Sequence, residues 1–421
     1  MAGARVVSLL LIGGLVAASS GCTSTPSSKP KPAVTDATTS TTTVPDDGVL
    51  RIGLLVPRKG AGTELGQSIE AGVRLAVNEI NAGGGVNGQA VQLLTRPEGD
   101  TTATDTSVQE LIRSGADAII GPESSNNALA TLGTAVDAGV ASCSPTASAA
   151  ALDQFPDHGL FFRTIPSDSL QAVALAAAVD QTGTATATLV HLDDGYGRPL
   201  ADDVRLALAN VGVTIARDLT FTADDPSIVS TAKQIAADRP GVVVVIADAL
   251  SGPTMIDDIE ADPAGARPTF VVNDAVRRPD SSVQPFNATL SQRIVGVSPL
   301  AVVDNVGFNS RLDAVDQETS HPFAANAYDC VNLIALSAQA SGSTRATTFA
   351  GFVVETSDGG SKCATFVECA TALTAGRDID YDGPSGMVKL SASGDAAAGA
   401  FDVFRFDANG RDVSSSRINV G

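Results

Sequence analysis

The feature that most limits the fold of this chain is a repeated alternation of short apolar runs with segments of helical periodicity, beginning at Val49. The run VLRIGLLVP, which ends at Pro57, predicts a buried strand, and apolar residues from Ile69 to Ile80 then recur at helical spacing. The same pair of patterns repeats as far as GLFFRTIP, which ends at Pro166, and then restarts. Repeated strand–helix units predict parallel sheets with helices on both faces. The two blocks therefore predict an α/β fold of two doubly wound parallel-sheet lobes.

The second block also predicts how the chain passes between the lobes. We expect hinge crossings near Pro166, Ser298 and Gly383, and an antiparallel ribbon in the tail, where turn signals and strict alternation appear. The predicted division assigns residues 49–165 and 298–382 to the first lobe, and residues 166–297 and the C-terminal ribbon 383–421 to the second. Ligands of open parallel sheets bind beyond the carboxyl ends of the strands, so a cleft between the lobes is the expected site.

The N-terminus is expected to be a targeting segment outside the fold. Arg5 supplies a short positive region, and the apolar run from Val6 to Ala18 is shorter than the roughly 20 residues that a membrane-spanning helix needs. The following ASSGC resembles a bacterial lipoprotein lipobox, with Ser19 where a Leu is usual, and predicts residues 1–22 as a signal peptide and Cys22 as the lipidated residue. An ordinary cleaved signal or an uncleaved anchor are the alternatives. Residues 23–48 are rich in Ser, Thr and Pro without periodicity, which predicts a flexible tether.

A signal peptide implies export, which would place the four cysteines that remain after Cys22 in an oxidising compartment. An even number of cysteines in an oxidising compartment favours disulfides, and four allow three pairings. Cys363 and Cys369 lie close together in the sequence, which leaves Cys143 with Cys330. A metal site is the alternative, but no C-x-x-C pair or histidine cluster supports one.

A glycine motif raises the possibility of a nucleotide-dependent enzyme. Gly83, Gly85 and Gly88 have the spacing G-x-G-x-x-G, which in a dinucleotide site follows a strand and opens a helix. Here the glycines follow a predicted helix and precede a predicted strand, so they predict a turn. The 3 histidines form no catalytic motif, and GPSGM lacks the glycine spacing of a nucleophile elbow. We therefore expect no enzyme activity and no cofactor.

Composition limits the partners. Hydrophobic residues make up 43% of the chain and aromatic residues 4%, which suits a core of small and β-branched side chains. The formal net charge is −20, and a field of that sign repels phosphate backbones, so nucleic acid is an unexpected partner.

Several segments, taken in order, resemble one family. RIGLLVPRKGAGTELGQSIEAGVRLAVNEINAGGGVNG, DAIIGPESSNNALA, SCSPTASAAAL, FFRTIPSD and HLDDGYGRPLADDVR are similar to the class I periplasmic binding proteins, specifically the branched-chain amino-acid-binding (Leu/Ile/Val) group. The resemblance implies two lobes, three hinge crossings and a solute trapped by their closure. It implies a monomer that delivers an amino acid or a related small polar ligand to an ABC permease, held at the membrane by lipid on Cys22. A sensor of the same fold that signals to a membrane partner, and a binder of urea or amides, are the alternatives.

The same resemblance implies the ligand contacts. They fall on Ser125, Thr146 and Ser148 at the ligand carboxylate, on Asp274 at its ammonium, on Tyr196 as the tyrosine of the cleft, and on Leu65 in the side-chain pocket. The hydroxyl of Ser125 and backbone N–H groups near the start of its helix suit a carboxylate. Two departures concern the ligand: Asp248 and Ala249 stand where some amino-acid binders carry a Tyr, and the acid Glu123 stands beside the proposed carboxylate site.

Overall fold

The structure is a computed structural model that describes residues 46–60, 62–262, 265, 267–277, 286–299, 307–316, 321–386, 388–410 and 412–421. The predicted signal peptide 1–22, with Cys22, and residues 23–45 of the predicted tether lie outside the described residues.

The strands are β1 (Arg51–Pro57), β2 (Gln92–Glu98), β3 (Ala118–Ile120), β4 (Ala141–Ser144), β5 (Phe161–Arg163), β6 (Thr186–Leu192), β7 (Thr214–Phe221), β8 (Val242–Ile246), β9 (Thr269–Val272), β10 (Ile294–Pro299), β11 (Ser361–Cys363), β12 (Ile379–Tyr381), β13 (Gly399–Phe406) and β14 (Asp412–Val420). The α-helices are α1 (Thr63–Ala82), α2 (Thr101–Arg113), α3 (Ser125–Asp137), α4 (Asp168–Asp180), α5 (Gly197–Asn210), α6 (Asp225–Asp238), α7 (Ser251–Glu260), α8 (Ala288–Ser291), α9 (Phe308–Asp313), α10 (Ala324–Ser341), α11 (Ala346–Phe349), α12 (Val353–Thr356) and α13 (Phe366–Thr374).

Two sheets organise these elements. The first has the order β2-β1-β3-β4-β5, and every pairing in it is parallel. The second has the order β14-β13-β10-β9-β8-β6-β7. The β14–β13 and β13–β10 pairings are antiparallel, and the pairings from β10 to β7 are parallel. We call the sheets, with the helices packed on them, the first and second lobes. The predicted α/β fold of two lobes is confirmed, and the antiparallel ribbon forms one edge of the second sheet.

Helices cover both faces of each sheet because the strands are apolar on both faces. All five residues of β8 are buried, as a strand covered by helices on two sides requires. In the second lobe, α4 and α5 pack on one face of the sheet and α6 and α7 on the other. In the first lobe, α1 and α10 share a core, and their axes approach closely at Gly72, where a Cβ would lie 2.1 Å from the Ala324 carbonyl oxygen.

The core residues show which parts of the chain belong to each lobe. Val297 on β10 and Phe401 on β13 lie in the second-lobe core, whereas Phe308 and Tyr328 lie between them in sequence but in the first-lobe core. The segment predicted to open the second-lobe ribbon at residue 383 still contributes Val388 and Leu390 to the first core. The chain therefore returns to the second sheet with β13.

The glycine motif is a turn, as predicted. It follows the end of α1 at Ala82, and Gly84, Gly85 and Gly88 have φ values of +104°, +77° and +79°. A Cβ at Gly85 would lie 2.0 Å from the Gln89 carbonyl oxygen, so this position has no room for a side chain. The motif therefore closes α1 and leads to β2, the reverse of the order in a dinucleotide site.

The disulfide pairing is confirmed. Cys143 on β4 is bonded to Cys330 on α10, with a sequence separation of 187. Cys363 on β11 is bonded to Cys369 on α13, with a separation of 6. No helix in the described part of the chain is long and apolar enough to cross a bilayer.

Candidate functional site

The predicted site residues all follow the carboxyl ends of strands. Leu65 follows β1, Ser125 follows β3, Thr146 and Ser148 follow β4, Tyr196 follows β6 and Asp274 follows β9. These ends of the parallel strands are where ligands of open α/β sheets bind. The contacts described below bring the residues of the two lobes together.

The lobes meet at the site itself. The ring of Tyr196, in the second lobe, packs against both the first-lobe core and the core beneath α4 and α5. Beside it, Gly195 lies so close to α3 of the first lobe that a Cβ would be 2.8 Å from Asn126 Oδ1. The backbone N–H of Asp168, the first residue of α4, donates to the Ser148 carbonyl at 2.8 Å. A ligand held by these residues would therefore be bound by both lobes.

Side-chain amides position Asp274, the predicted ammonium contact, and Tyr196, the predicted cleft tyrosine. Gln171 Nε2 donates to Asp274 Oδ1 at 2.8 Å and to the Val297 carbonyl at 2.9 Å. Asn273 Nδ2 donates to the Tyr196 hydroxyl oxygen at 2.9 Å. Burial raises the pKa of Asp274, and the hydrogen bond from Gln171 opposes that rise. Burial also raises the pKa of Tyr196 well above its ordinary value, so the phenol stays neutral and can donate its proton.

Asp168 is a site residue that the sequence reasoning missed. Its exposure is 0%, and neither carboxylate oxygen has a hydrogen-bond partner among the described residues. Burial, and next the charge of Asp274, raises its pKa to about 8; the nearby Ser148 hydroxyl and Arg163 act in the opposite direction. In the sequence Asp168 looks like an ordinary acid in the first turn of a helix, and its one distinguishing signal is its place just after the first hinge crossing.

The hydroxyl groups of Ser125, Thr146 and Ser148, in the first lobe, differ in whether their protons are available to a ligand. Ser125 Oγ accepts the Ala149 N–H at 3.2 Å, which leaves its own proton free for a ligand. The Thr146 hydroxyl instead donates to the Glu123 carbonyl at 3.0 Å. Ser148 is 8% exposed and lies beside Asp168. Ser125 and Ser148 are therefore the hydroxyl donors available in this arrangement.

An internal carboxylate occupies the helix N-terminus that was expected to hold a ligand carboxylate. Glu98 accepts the Glu123 N–H at 2.6 Å, the Ser124 N–H at 3.0 Å and Asn127 Nδ2 at 2.7 Å. The expectation that backbone N–H groups near the start of α3 are free is thus wrong for these two residues. Glu98 was missed because it lies 25 residues from Glu123, at the end of β2.

Glu123 contrasts with Glu98. Its side chain is half-buried and makes no hydrogen bond or ion pair with a described residue. Burial, and next the charge of Glu98, raises its pKa to about 7. The departure at Asp248 has a local explanation, because Asp248 Oδ1 accepts the N–H groups of Leu250 and Ser251 at the start of α7.

The buried Arg163 holds the site loops together. Its Nε donates to Asp395 Oδ1 at 2.6 Å, and its Nη1 donates to the Ala149 carbonyl at 3.1 Å. It also pairs with Asp153, which accepts the Ser167 hydroxyl at 2.7 Å. One guanidinium thus links the loop after β4, the start of α4 and the segment that leads to β13, and its charge is neutralised by two carboxylates.

Within the described ranges, no group of three or more His, Cys, Asp or Glu side chains is arranged to hold a metal ion. The buried His191 lies on β6, where Arg205 Nη2 is 3.0 Å from its Nε2. The chemistry of the site is therefore that of acids, hydroxyls and amides aimed between two lobes, which can bind a small polar molecule.

Comparisons with known proteins agree with this geometry. The family model described as periplasmic binding protein matches residues 49–411. The chemotactic signal transduction system substrate-binding protein BasB of Halobacterium salinarum is 28% identical over 356 residues, covering 81% of this chain and 83% of the relative. The leucine-, isoleucine-, valine-, threonine- and alanine-binding protein of Pseudomonas aeruginosa is 23% identical over 291 residues, 68% of this chain and 77% of the relative.

A solved structure has the same fold. The branched-chain amino acid transporter substrate-binding protein LivJ of Streptococcus pneumoniae, in complex with isoleucine, superposes with a TM-score of 0.68 at 19% identity, covering 88% of this chain and 99% of that chain. The family match and the fold confirm that this chain belongs to the periplasmic binding protein family, and its relatives include Leu/Ile/Val-binding proteins.

Proposed function

We propose that this protein is an extracytoplasmic solute-binding protein that captures an amino acid between its lobes and delivers it to an ABC importer, without catalysis. The observation that carries the proposal is Asp168, whose buried carboxylate oxygens have no hydrogen-bond partner among the described residues and whose N–H bonds to the other lobe. A buried carboxylate is costly without a paired charge, and a ligand ammonium would supply that charge.

The proposed binding mode follows from the groups still able to bond. The ligand ammonium lies among Asp168, Asp274 and the Tyr196 hydroxyl, with Leu65 packing against the ligand side chain. The ligand carboxylate accepts hydrogen bonds from the hydroxyl groups of Ser125 and Ser148. Thr146 contacts the ligand through its backbone, because its hydroxyl already donates to the Glu123 carbonyl. Closure of the lobes removes water from these pairs and strengthens them.

A thermal-shift panel of amino acids, amides, urea and amines on the purified full chain tests the proposal. A ligand at about 100 times its Kd should stabilise the protein by about 2.7 kcal/mol. We expect at least one amino acid to shift the melting temperature. If urea or an amide shifts it and no amino acid does, the amino-acid proposal is wrong.

A sensory role is the second candidate, and the relative named for a chemotactic signal transduction system favours it. The two roles differ in a deletion strain. Loss of ligand uptake supports import, whereas intact uptake with loss of a tactic or transcriptional response to the ligand supports sensing.

The proposed location is the outer face of the cell membrane, where a lipid on Cys22 would hold a monomer close to its permease. Cys22→Ala should move the protein from the membrane fraction to the soluble fraction. Unchanged membrane association would contradict lipidation at this residue.

A further inference from the structure

We infer that the ligand is a basic amino acid, with a second positive charge on its side chain, and that Glu123 recognises this charge. The inference rests on the proposed amino-acid-binding function and narrows its substrate class. Three observations support it: the position of Glu123, the balance of charge around the site, and the contrast with Glu98, whose carboxylate is hydrogen-bonded within the fold.

The backbone of Glu123 is fixed from both sides, while its carboxyl group is free. Its N–H donates to Glu98 Oε2 at 2.6 Å, and its carbonyl accepts the Thr146 hydroxyl at 3.0 Å. The next residue but one is Ser125, a predicted contact of the ligand. Glu123 is thus held in the loop that contacts the ligand, with a half-buried side chain that no described residue pairs.

Glu98, at the end of β2, shows how the fold accommodates a structural acid next to this loop. It is 7% exposed and accepts three hydrogen bonds, from two backbone N–H groups and from Asn127. These three donors stabilise the carboxylate and oppose the rise in the pKa of Glu98 that burial causes. Glu123 lies next to this cluster and shares none of its donors, so the fold itself does not account for its charge.

The charges around the site are unbalanced in the acidic direction. Asp168 and Asp274 are acids of the site, and Glu123 lies in the loop before Ser125. Both oxygens of the fully buried Asp168 have no hydrogen-bond partner among the described residues. The two arginines whose charges act on these acids are paired with other carboxylates: Arg163 with Asp153 and Asp395, and Arg277 with Asp402.

A ligand with one ammonium group cannot satisfy all three acids. Asp168 and Asp274 lie close enough for the charge of one to raise the pKa of the other, so a single ammonium can serve that pair. Glu123 lies in the other lobe, in the loop after β3, and its half-buried carboxylate would be left without a paired charge. A second cation on the ligand side chain supplies the missing partner.

The matched ligands L-lysine and L-norleucine test the inference, because they share the α-amino acid and an unbranched side chain but only lysine carries the side-chain ammonium. We expect calorimetric titration of the full chain at about pH 8 to show lysine binding at least about tenfold more tightly than norleucine. In Glu123→Gln the ratio of the two affinities should fall close to one. Glu355→Gln, which removes an exposed acid on α12, should keep the wild-type ratio.

The pH dependence of the wild-type ratio gives a second measurement that needs no variant to fold. The side-chain ammonium of lysine stays charged below about pH 9, whereas Glu123 ionises near neutrality, with Glu98 as the charged neighbour that acts on it. The lysine preference should therefore grow as the pH rises from about 6 to about 8.

Each outcome has one meaning. If norleucine binds as tightly as lysine, the inference is wrong and the amino-acid-binding function stands. If lysine is preferred but Glu123→Gln and the change of pH leave the ratio unaltered, Glu123 is not the residue that recognises the charge. If neither ligand nor any other amino acid binds, both the inference and the proposed function fail.

Discussion

At the scale of single residues, three buried acids of this protein show how the surroundings decide what a carboxyl group does. Glu98 accepts three hydrogen bonds and ties β2 to the loop before α3. Asp168 is just as buried but has no hydrogen-bond partner among the described residues, and burial raises its pKa to about 8. Asp117 lies between these cases, because it accepts the Arg51 N–H while burial raises its pKa to about 7.

Asp168 should make the ligand-free protein less stable as the pH rises. Its folded-state pKa lies above that of the unfolded chain, so the folded state holds a proton that the unfolded state releases, and the stability gained is lost as the pH rises from about 4 towards 8. In Asp168→Asn this loss is absent. The free energy of unfolding, from urea titrations at about pH 5, 7 and 9, should fall more steeply in the wild type than in the variant. Parallel curves would mean that Asp168 is ionised and paired.

At the scale of elements, the start of α3 is an internal anion site. Ser124 precedes the helix without a side-chain capping bond, and Glu98 supplies the capping acceptor from a neighbouring strand instead. A carboxylate at a helix N-terminus is favoured both by the free N–H groups and by the helix dipole. The loop that carries Glu123 and Ser125 therefore depends on a residue of β2 for its position.

Glu98→Gln should destabilise the first lobe. The amide keeps one acceptor oxygen, but its NH₂ group would face N–H donors, so at least one buried hydrogen bond is lost at a cost of about 1–3 kcal/mol. Glu110→Gln is the control, because Glu110 forms a partly exposed ion pair with Arg96 and should cost less than about 1 kcal/mol. Thermal unfolding of both variants measures the difference, and an equal effect would contradict the capping role.

At the scale of the whole molecule, the chain enters the first lobe twice, and one disulfide joins the two visits. Cys143 lies in the first visit, on β4, and Cys330 lies on α10, after the chain has built most of the second lobe. The helix that carries Cys330 is buried from Ala324 to Ala338 and shares its core with α1. The bond therefore closes a loop that contains the parallel part of the second sheet.

The two disulfides should differ in their effect on stability. By the chain-entropy estimate, a bond across 187 residues stabilises by about 5 kcal/mol and one across 6 residues by about 2 kcal/mol. Replacing Cys143 and Cys330 together with Ala should lower the free energy of unfolding more than replacing Cys363 and Cys369 together. Urea unfolding of the two double variants compares them. The reverse order would show that strain or residual structure outweighs loop entropy.

The parts of the fold that could be predicted are those that depend on the residue pattern of a short segment. The spacing of Ile69 and Ile80 predicted α1, and the glycines after it predicted a turn. The strand predicted after the glycines is β2, which begins at Gln92 because Gln89 pairs back with Val86 to close that turn.

Only those site residues that lie in segments resembling the family were predicted from the sequence. The placement of Asp168, the partners of Glu98 and the role of Arg163 depend on contacts between distant parts of the chain. The ion pair of Arg163 with Asp395, for example, joins residues 232 positions apart. No periodicity or spacing records such a contact, since it exists only once both lobes have folded.

The close approach of the two lobes at Gly195 offers a way to change the ligand affinity of this protein. A side chain there would collide with Asn126 across the cleft, so any larger residue would act as a steric wedge between the lobes. Such a wedge would shift the population of the ligand-free protein towards separated lobes and lower the apparent affinity for every ligand by the same factor, because it changes the closed fraction and not the contacts. Affinity and selectivity can thus be adjusted independently: affinity at residue 195, and selectivity among the acids of the site.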